Sequence, residues 1–505
     1  MKRKALSALL MVVLSLALTL TGCAGKRQGE STESQITIGI PQDVEDSLDP
    51  HKAVAAGTEE VFFNMFEGLV KPDSDGNLNP AVASDYKVSE DEKTYTFTLR
   101  EGVKFHDGSL VTVEDVRYSI ERCADTSEGA PLVAAFANIV SINTPDEKTI
   151  EIVLAESNAD FLAAMDTAII PASNATPDTV AIGTGPYKFV SHAPQESFVM
   201  EKFEEYWGEK AHIENVILKV CANADSIVMN LNGGAIDMYA RLTSTQASQL
   251  NDQFEVLEGT MNLVQALYLN HAVEPFNNEK VRQALCYAVD KQYLLDMTSD
   301  GHGTPVGSSM FPAFGKYYMP ELAGYYTKDV EKAKQLLTEA GYSDGFSFTV
   351  KVPSNYAPHV ETAQVLAEEL KAINVDAKIE LIEWETWVSD VYSGRQFEGT
   401  VVGLDASSLT ASSMLIRFTS DSSKNFINYN NPEYDAVYAN AEVSIDEEER
   451  TAAFKECQQI LTETAANVYI QDMAEFVALN KKYAGYEFYP LYVQDFSKLY
   501  IVGEE

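Results

Sequence analysis

The segment VETAQVLAEELKAINVDAKIELI, residues 360–382, predicts a helix followed directly by a strand. Apolar side chains in residues 360–373 recur at the spacing of a helix that buries one face. The side chains expected to face inward are Ala363, Leu366, Ala367 and Leu370. Residues 377–382 alternate apolar and polar side chains, which is typical of a half-buried strand. A helix followed by a strand, repeated along a chain, predicts α/β layers.

Comparable patterns occur elsewhere in the chain. Residues 95–99 (YTFTL) alternate as a half-buried strand does. Thr112 has Asp115 three residues later, which is the arrangement of a capping box at a helix start. Asn278 and Thr327 are the expected N-caps of two further helices. The chain therefore alternates strands and helices, although not in a simple wound order.

Length and charge limit the possible classes of protein. At about 150 residues per domain, 505 residues predict roughly three domains. The composition, with 45% hydrophobic and 22% charged residues, is that of a globular protein. A formal net charge of -39 would repel phosphate backbones, so we expect no nucleic-acid binding. We interpret the acidity mainly as a solvated surface that keeps the protein soluble.

The N-terminus has the organisation of an export signal. Basic residues at positions 2–4 precede an apolar stretch of 16 residues, shorter than the roughly 20 needed to cross a bilayer. The stretch ends in LTGC, residues 20–23, which resembles the lipobox of bacterial lipoproteins. We expect a signal peptide over residues 1–22, a lipid on Cys23 and a flexible tether over residues 23–34. The mature protein would then be lipid-anchored and extracytoplasmic, at the outer face of the cytoplasmic membrane or in the periplasm.

The sequence lacks the local motifs of common enzymes. It contains no G-x-S-x-G, H-E-x-x-H or P-loop pattern, although a triad assembled from distant residues stays open. The seven histidines include no pair four residues apart, and HDG at residues 106–108 is interpreted as a turn. The cysteines after Cys23 have no metal-ligand spacing. We expect no enzymatic activity, no metal, no cofactor and no functional cysteine beyond Cys23.

A series of motifs distributed over the chain resembles one known family. The motifs are FEGLV (66–70), LREGVKFHDG (99–108), TVEDV (112–116), GTGPYKF (183–189), VRQALCYAVD (281–290), NFINYNNPEYD (425–435) and NKKY (480–483). In this order they resemble the peptide/nickel-type (family 5) solute-binding proteins of ABC importers. The resemblance covers nearly the whole mature chain.

The resemblance implies a large, class II-like periplasmic-binding-protein clamp of two α/β lobes, with an extra α/β domain on the first lobe. Carried over by position, lobe I takes residues 35–66, 183–268 and 478–505, the extra domain 67–182, and lobe II 269–477. The chain would cross between the lobes near residues 268–273 and 476–480. Ligand would lie in the cleft, and two permease subunits with their ATPases would be the partners of a monomeric receptor.

The specificity region departs from the family pattern. In peptide-binding relatives, an E-W pair precedes a G-W-x-x-D-Y motif whose acid holds the peptide ammonium. Glu383-Trp384 matches the pair, but residues 403–408 read GLDASS, with Leu404 at the tryptophan and Ser407 at the acid. Asp405 is the nearest alternative acid, and side chains two apart on a strand share a face.

The remaining candidates for ligand contact are an aromatic, a cation and two residues near the first crossing. Trp384 is expected to stack on ligand, whereas Trp387 is expected in the core. Arg417 could hold a ligand carboxylate, with a structural salt bridge as the alternative. Tyr268 and Asn270 could touch ligand or serve only hinge geometry. Ser407 and its serine and threonine neighbours suggest a roomy pocket lined by hydroxyl groups.

These observations predict a receptor that captures di- to oligopeptides, or a similar small solute, for an ABC importer. Non-peptide ligands such as a metal chelate, a sugar or an amine remain alternatives. No histidine follows His359, which makes a metal site in the cleft less favoured. A secreted cell-wall hydrolase, or a signal receptor on the same fold, are further alternatives.

Overall fold

The computed structural model describes residues 34–44, 47–127, 129–221, 223–406 and 408–503. The expected signal peptide, Cys23 and the tether up to residue 33 lie outside the described residues, and so does Ser407. Within the part of the chain that the structure describes, no helix has the length and apolar character needed to cross a membrane.

The strands, in chain order, are β1 (Gln35–Ile40), β2 (Val70–Pro72), β3 (Leu78–Pro80), β4 (Ala83–Val88), β5 (Thr94–Leu99), β6 (Ile139–Asn143), β7 (Thr149–Leu154), β8 (Tyr187–Ala193), β9 (Ser197–Lys202), β10 (Asn215–Val220), β11 (Met238–Leu242), β12 (Phe254–Thr260), β13 (Leu263–Leu269), β14 (Thr304–Pro305), β15 (Phe346–Pro353), β16 (Val375–Ile382), β17 (Gly399–Asp405), β18 (Asn467–Asp472), β19 (Ala474–Asn480), β20 (Tyr483–Ala484) and β21 (Tyr500–Ile501).

The α-helices are α1 (Ala56–Phe62), α2 (Val113–Ala124), α3 (Ile227–Asn232), α4 (Ser244–Ser248), α5 (Glu279–Ala288), α6 (Lys291–Ser299), α7 (Val330–Glu339), α8 (Ala357–Leu370), α9 (Trp384–Thr386), α10 (Ala411–Leu415), α11 (Pro432–Val443) and α12 (Glu447–Glu463). Helix α9 continues into a π-helical turn, Trp387–Ser393. The mixture confirms the predicted α/β class.

Two large mixed sheets form the two lobes. The lobe I sheet has the order β12-β19-β11-β1-β10-β9-β8, and β1 lies parallel to both β10 and β11. The lobe II sheet has the order β14-β18-β13-β17-β15-β16, with β15 parallel to β16 and β17. Both sheets have hydrophobic clusters on each face. Each lobe is therefore a layered α/β unit, because apolar side chains on both faces of a sheet need covering layers.

Residues 360–382 form the predicted helix and strand in lobe II. The expected helix over 360–373 is α8 followed by a short 3-10 turn, and the expected strand lies within β16. Ala363, Leu366 and Leu370 are buried, and Ala367 packs at the edge of the same cluster. Helix α8 covers one face of β15 and β16, since its apolar side chains belong to the cluster that those strands form.

The helix starts follow the predicted caps with one correction. The Thr112–Asp115 capping box is present at α2, and the Asn278 side chain accepts a hydrogen bond from the Lys280 backbone N–H. Helix α7, however, is capped by Asp329, which accepts from the Lys332 N–H at 2.9 Å, and not by Thr327. The helix begins at Val330, so Thr327 lies too far upstream to reach its first free N–H groups.

The extra domain is a four-stranded antiparallel sheet, β4-β5-β7-β6, covered by α2. Its hydrophobic cluster runs from Leu69 to Ile169, within the predicted range 67–182. The domain also touches lobe II, because the Ser412 hydroxyl donates to Asp160 at 3.0 Å. Near this contact, an Arg450 nitrogen lies 3.7 Å from a carboxylate oxygen of Glu92.

The chain changes lobe at two points that carry almost no loop. Strand β12 ends at Thr260 and β13 begins at Leu263, so the first crossing is residues 261–262. Strand β18 ends at Asp472 and β19 begins at Ala474, so the second crossing is Met473 alone. The predicted crossings at 268–273 and 476–480 are therefore displaced, because 268 lies inside β13 and 476–480 inside β19. The first crossing includes one turn residue, Asn262, whose φ is 54°, and extended strands continue directly on either side of both crossings.

The HDG and GTGPYKF motifs are joined to each other by hydrogen bonds. The Gly183 N–H donates to Nδ1 of His106 at 3.2 Å, and the His106 N–H donates to the Gly183 carbonyl at 2.9 Å. His106 Nε2 lies 3.1 Å from the Gly185 carbonyl oxygen. A Cβ on Gly183 would lie 2.0 Å from the Met65 carbonyl oxygen, so the two chain segments meet at backbone distance. The motif thus closes the extra domain back onto lobe I.

We predict that Gly183→Ala destabilises the protein, by about 1–3 kcal/mol or more, because backbone atoms cannot move aside as a side chain would. The measurement is the urea midpoint of the first unfolding transition, followed by circular dichroism. Gly324→Ala is the matched control, since a Cβ at that position meets no atom within 4 Å. Equal midpoints for the two variants would contradict the proposed close packing.

Candidate ligand-binding site

A cavity of about 340 Å³ lies between the two sheets. Lobe I contributes residues 53–56, Glu59 and Arg241, lobe II contributes residues 402–405, and Leu132 comes from the extra domain. The volume is at the lower end of the range of about 300–1,000 Å³ that is usual for small-molecule sites. The cavity therefore suits a small ligand that touches both lobes together.

Stacked aromatic rings form one wall of the cavity. Trp384 and Trp387 both line it, with ring centroids 5.1 Å apart and ring planes at 13°. Trp387 is buried and its indole N–H donates to the Thr400 hydroxyl at 3.0 Å. The edge of Tyr356 meets Trp384, with centroids 5.4 Å apart. Trp387 thus anchors the wall, and the half-buried Trp384 is the ring that a ligand can stack against.

Two acids and two cations line the same cavity, namely Glu59, Asp405, Arg417 and Lys424. Among the described residues, none of the four makes an ion pair within 4.0 Å. Arg417 donates from Nη2 to the Asp405 backbone carbonyl at 3.0 Å, and its Nε is buried without a hydrogen-bond partner. The cavity therefore presents charges of both signs whose bonding capacity is largely unused.

The protein atoms around Glu59 change the pKa of its carboxyl group. Its side chain is open to the cavity, but protein atoms enclose it closely, and this desolvation raises its pKa to about 8. The Asp405 carboxylate raises the pKa further, whereas Lys424 and Arg417 oppose the shift. The pKa of Lys424 is lowered, by desolvation first and by Arg417 second. In the empty cavity the neutral form of Glu59 is therefore favoured more than for an ordinary carboxyl group.

A third cation at the cavity floor, Arg241, is already engaged. Its Nη1 donates to a Glu60 oxygen at 3.2 Å, and its Nε lies 3.8 Å from Glu475. Its guanidinium also covers the Tyr492 ring at 3.6 Å. All three charged side chains are buried. Arg241 is therefore part of the support of the cavity, since removing it would leave two buried acids without a cation.

His359 lines the cavity as a buried, neutral, hydrogen-bonded side chain. The Gly403 N–H donates to its Nε2 at 3.2 Å, and its Nδ1 lies 2.9 Å from the Gln265 amide nitrogen. Burial lowers the pKa of His359 to about 3. Both ring nitrogens are in use, and the described residues contain no cluster of three or more potential metal ligands. His359 positions β17 beside the cavity and leaves no nitrogen for a metal.

The cavity brings together Trp384, Asp405 and Arg417, but not Tyr268 or Asn270. Tyr268 is fully buried in β13 and donates its hydroxyl to the Val264 carbonyl at 2.8 Å. The Asn270 amide donates to the carbonyls of Phe397 at 2.9 Å and Arg395 at 3.1 Å. Both were expected at a crossing that instead lies at 261–262, which explains why they sit inside lobe II.

Sequence reasoning missed Glu59 and Lys424. Glu59 stands beside Glu60 on α1, and nothing in the sequence separates the acid that pairs with Arg241 from the acid that faces the cavity. Lys424 lies in a loop just before the motif at 425–435. The position of Lys424 directly before a family motif was the one signal that could have marked it as a candidate site residue.

Comparisons with known proteins agree with this architecture. Residues 77–426 match the family model described as bacterial extracellular solute-binding proteins, family 5 Middle. Heme-binding protein A of Haemophilus influenzae is 27% identical over 470 residues, which cover 85% of each chain. Glutathione-binding protein GsiB of Salmonella typhimurium is 27% identical over 442 residues, covering 82% of this chain and 84% of its own.

The structure also matches the periplasmic binding protein DppA of Helicobacter pylori, solved in complex with the peptide STSA. The TM-score is 0.83 at 25% identity, covering 94% of this chain and 99% of that one. The two-lobed clamp that the sequence predicted is thereby confirmed. The chain belongs to the bacterial extracellular solute-binding proteins of family 5, the peptide/nickel-type binding proteins of ABC importers.

Proposed function

We propose that this protein captures short peptides in the interlobe cavity and delivers them to an ABC permease, without chemical change to the ligand. The observation that carries the proposal is the set of two carboxylates and two cations that line one cavity without pairing with one another. A peptide with free termini carries one ammonium and one carboxylate. The ammonium could pair with an acid and the carboxylate with a cation inside this single cavity. A ligand with charges of only one sign would leave either the acids or the cations of the cavity unpaired.

The two ends have different partners in this proposal. Asp405 takes the ammonium in place of the acid that Ser407 replaces in the family motif. Arg417 and Lys424 face the carboxylate, and the free Nε of Arg417 suits a second hydrogen bond to it. Trp384 contacts an apolar part of the ligand. The volume of about 340 Å³ favours peptides of a few residues over long ones.

Similar proteins are named for, or were solved with, small molecules and peptides of several kinds. One relative is named for heme, one for glutathione, and the Helicobacter pylori protein was solved with the peptide STSA. A metal chelate is less favoured, because His359 is occupied by hydrogen bonds. A glycoside hydrolase also places two carboxylates in a cleft, so recovery of intact ligand has to be part of the test.

Closure is expected to follow from contacts that form with both lobes at once. A ligand held by lobe II alone gains the contacts of Glu59 and residues 53–56 only when the lobes are closed. This difference in affinity shifts the population towards the closed form. We propose that the permease recognises that form, that the protein acts as a monomer, and that a lipid on Cys23 keeps it at the membrane surface.

We predict that alanine and leucine peptides of two to five residues raise the melting temperature of the purified mature protein, by mass action on the folded state. Blocking the amine by acetylation, or the carboxylate by amidation, should reduce the shift, because one charge pair is lost. Mass spectrometry should recover the peptide intact. No shift with any of these peptides, together with a shift from sugars, polyamines or metal chelates, would contradict the peptide assignment.

We predict that Trp384→Ala weakens peptide binding by about 1–2 kcal/mol, roughly 5- to 30-fold in Kd, because a ligand loses its ring contact. Binding should also change tryptophan fluorescence, since two of the three tryptophans line the cavity. Trp207→Phe is the control and should keep the signal, because Trp207 donates to Glu67 at 2.8 Å away from the cavity. Undiminished affinity of Trp384→Ala would remove this residue from the site.

We predict that Cys23→Ser moves the protein from the membrane fraction to the soluble fraction of its producing cell. The serine variant cannot form the thioether to diacylglycerol, so the acyl chains that hold the protein are absent. Fractionation followed by immunoblotting measures the change, and incorporation of labelled palmitate should be lost. A variant that stays in the membrane pellet would show that Cys23 is not the anchor.

A further inference from the structure

We propose that Glu59 of lobe I is a second anchor for the ligand amine, and that the ammonium is shared between Glu59 and Asp405 of lobe II. This inference rests on the proposed function, because it specifies how the peptide amine is held. The ligand ammonium would then contact both lobes at once and so connect them. The acid missing at position 407 would then be replaced by two acids from opposite sides of the cavity.

The position of Glu59 on α1 supports this role. Its neighbour Glu60 is buried, accepts from Arg241, and also accepts from the Gln494 amide at 2.8 Å. Successive helical residues point in different directions, so Glu60 is turned into lobe I while Glu59 lines the cavity. In the described part of the chain, the Glu59 carboxylate accepts no hydrogen bond. Lobe I thus presents one carboxylate with unused bonding capacity.

The charged groups that influence Glu59 come from other elements. Asp405 lies at the end of β17, and Arg417 and Lys424 lie in the segment after α10. Asp166 of the extra domain acts from outside the cavity lining. The strongest of these effects is that of Asp405, a carboxylate on the opposite lobe. Glu59 and Asp405 line one cavity from opposite lobes, so a cation placed between them would interact favourably with both carboxylates.

The cations of the cavity do not fill this site. Arg417 donates from Nη2 to a backbone carbonyl. Among the described residues, Lys424 makes no ion pair within 4.0 Å with either carboxylate. A bare metal ion would need more ligands than two carboxylates, and the described residues offer no third acid, histidine or cysteine in a common cluster. An ammonium is a suitable cation, because its N–H groups can bond both carboxylates.

Proton release distinguishes this arrangement from a purely structural role. The empty cavity favours the neutral form of Glu59, and an ammonium beside it favours its ionised form. Binding would then release a proton, and affinity would rise with pH up to the pKa of Glu59, by about tenfold per pH unit at most. Above about pH 8 the peptide amine itself loses its proton, so affinity should fall again.

The experiment measures trialanine binding by titration calorimetry at pH 6, 7 and 8, in buffers of different ionisation enthalpy. The wild-type protein should release close to one proton at pH 7 and bind more tightly at pH 7 than at pH 6. Glu59→Gln preserves the side-chain volume and removes the charge. It should bind trialanine about 10- to 100-fold more weakly, with little proton release and a flat pH profile.

Further variants separate the possible outcomes. Glu385→Gln, an exposed acid outside the cavity, controls for the loss of one negative charge and should bind as the wild type does. Asp405→Asn combined with Glu59→Gln should lose less affinity than the sum of the two single losses, because both acids hold the same amine. The empty Glu59→Gln protein should melt no lower than the wild type, since the Glu59 carboxylate accepts no hydrogen bond and makes no ion pair within 4.0 Å among the described residues.

The two proposals fail in different ways. If neither trialanine nor the other peptides bind the wild-type protein, the proposed function is wrong. If trialanine binds the wild type and Glu59→Gln equally, with the same pH profile, peptide capture stands and Glu59 is not an anchor. Equal binding of N-acetyl-trialanine and trialanine would show that no acid of the cavity holds the amine.

Discussion

The cavity exists because the chain passes from one sheet to the other with almost no intervening loop. Residues 261–262 and Met473 are the two points of passage, and each joins a strand of lobe I to a strand of lobe II. At the first, Asn262 has a φ of 54°, and its amide donates to the carbonyls of Thr260 and Tyr489, each at 2.9 Å. Short connections of this kind hold the two sheets close and leave the space between them open, so the position of every cavity residue depends on them.

Regular elements could be predicted from the sequence, because their signals are local. The helical spacing in 360–373 and the capping box at Thr112 report the contacts of neighbouring residues, and the structure has both. The lobe crossings were not predicted, because the flanking residues are extended and the single turn residue, Asn262, is too weak a signal on its own. The crossing expected from the family resemblance therefore begins inside β13. For the same reason Tyr268 and Asn270 were expected to contact ligand or form the hinge, although both lie inside lobe II.

Some residues of the candidate site could be predicted from the sequence, and others could not. The Glu383-Trp384 pair and the altered GLDASS segment lie at recognisable positions, so Trp384 and Asp405 could be found from the sequence. Glu59 could not, since the difference between it and Glu60 is the direction of each side chain in the folded lobe. Arg241 donates hydrogen bonds to Glu60, whereas the Glu59 carboxylate faces the cavity. A chain of net charge -39 thus contains a cavity that is lined by charged side chains of both signs.

The contacts between the extra domain and lobe II have a consequence for how long a ligand stays bound. Ser412 and Arg450 of lobe II meet Asp160 and Glu92 of the extra domain, away from the cavity lining. Separating the lobes has to break these contacts too, which adds to the barrier for escape. Residence time is therefore set partly by side chains that never meet the cargo, and it can be tuned by mutation there without altering which cargo is chosen.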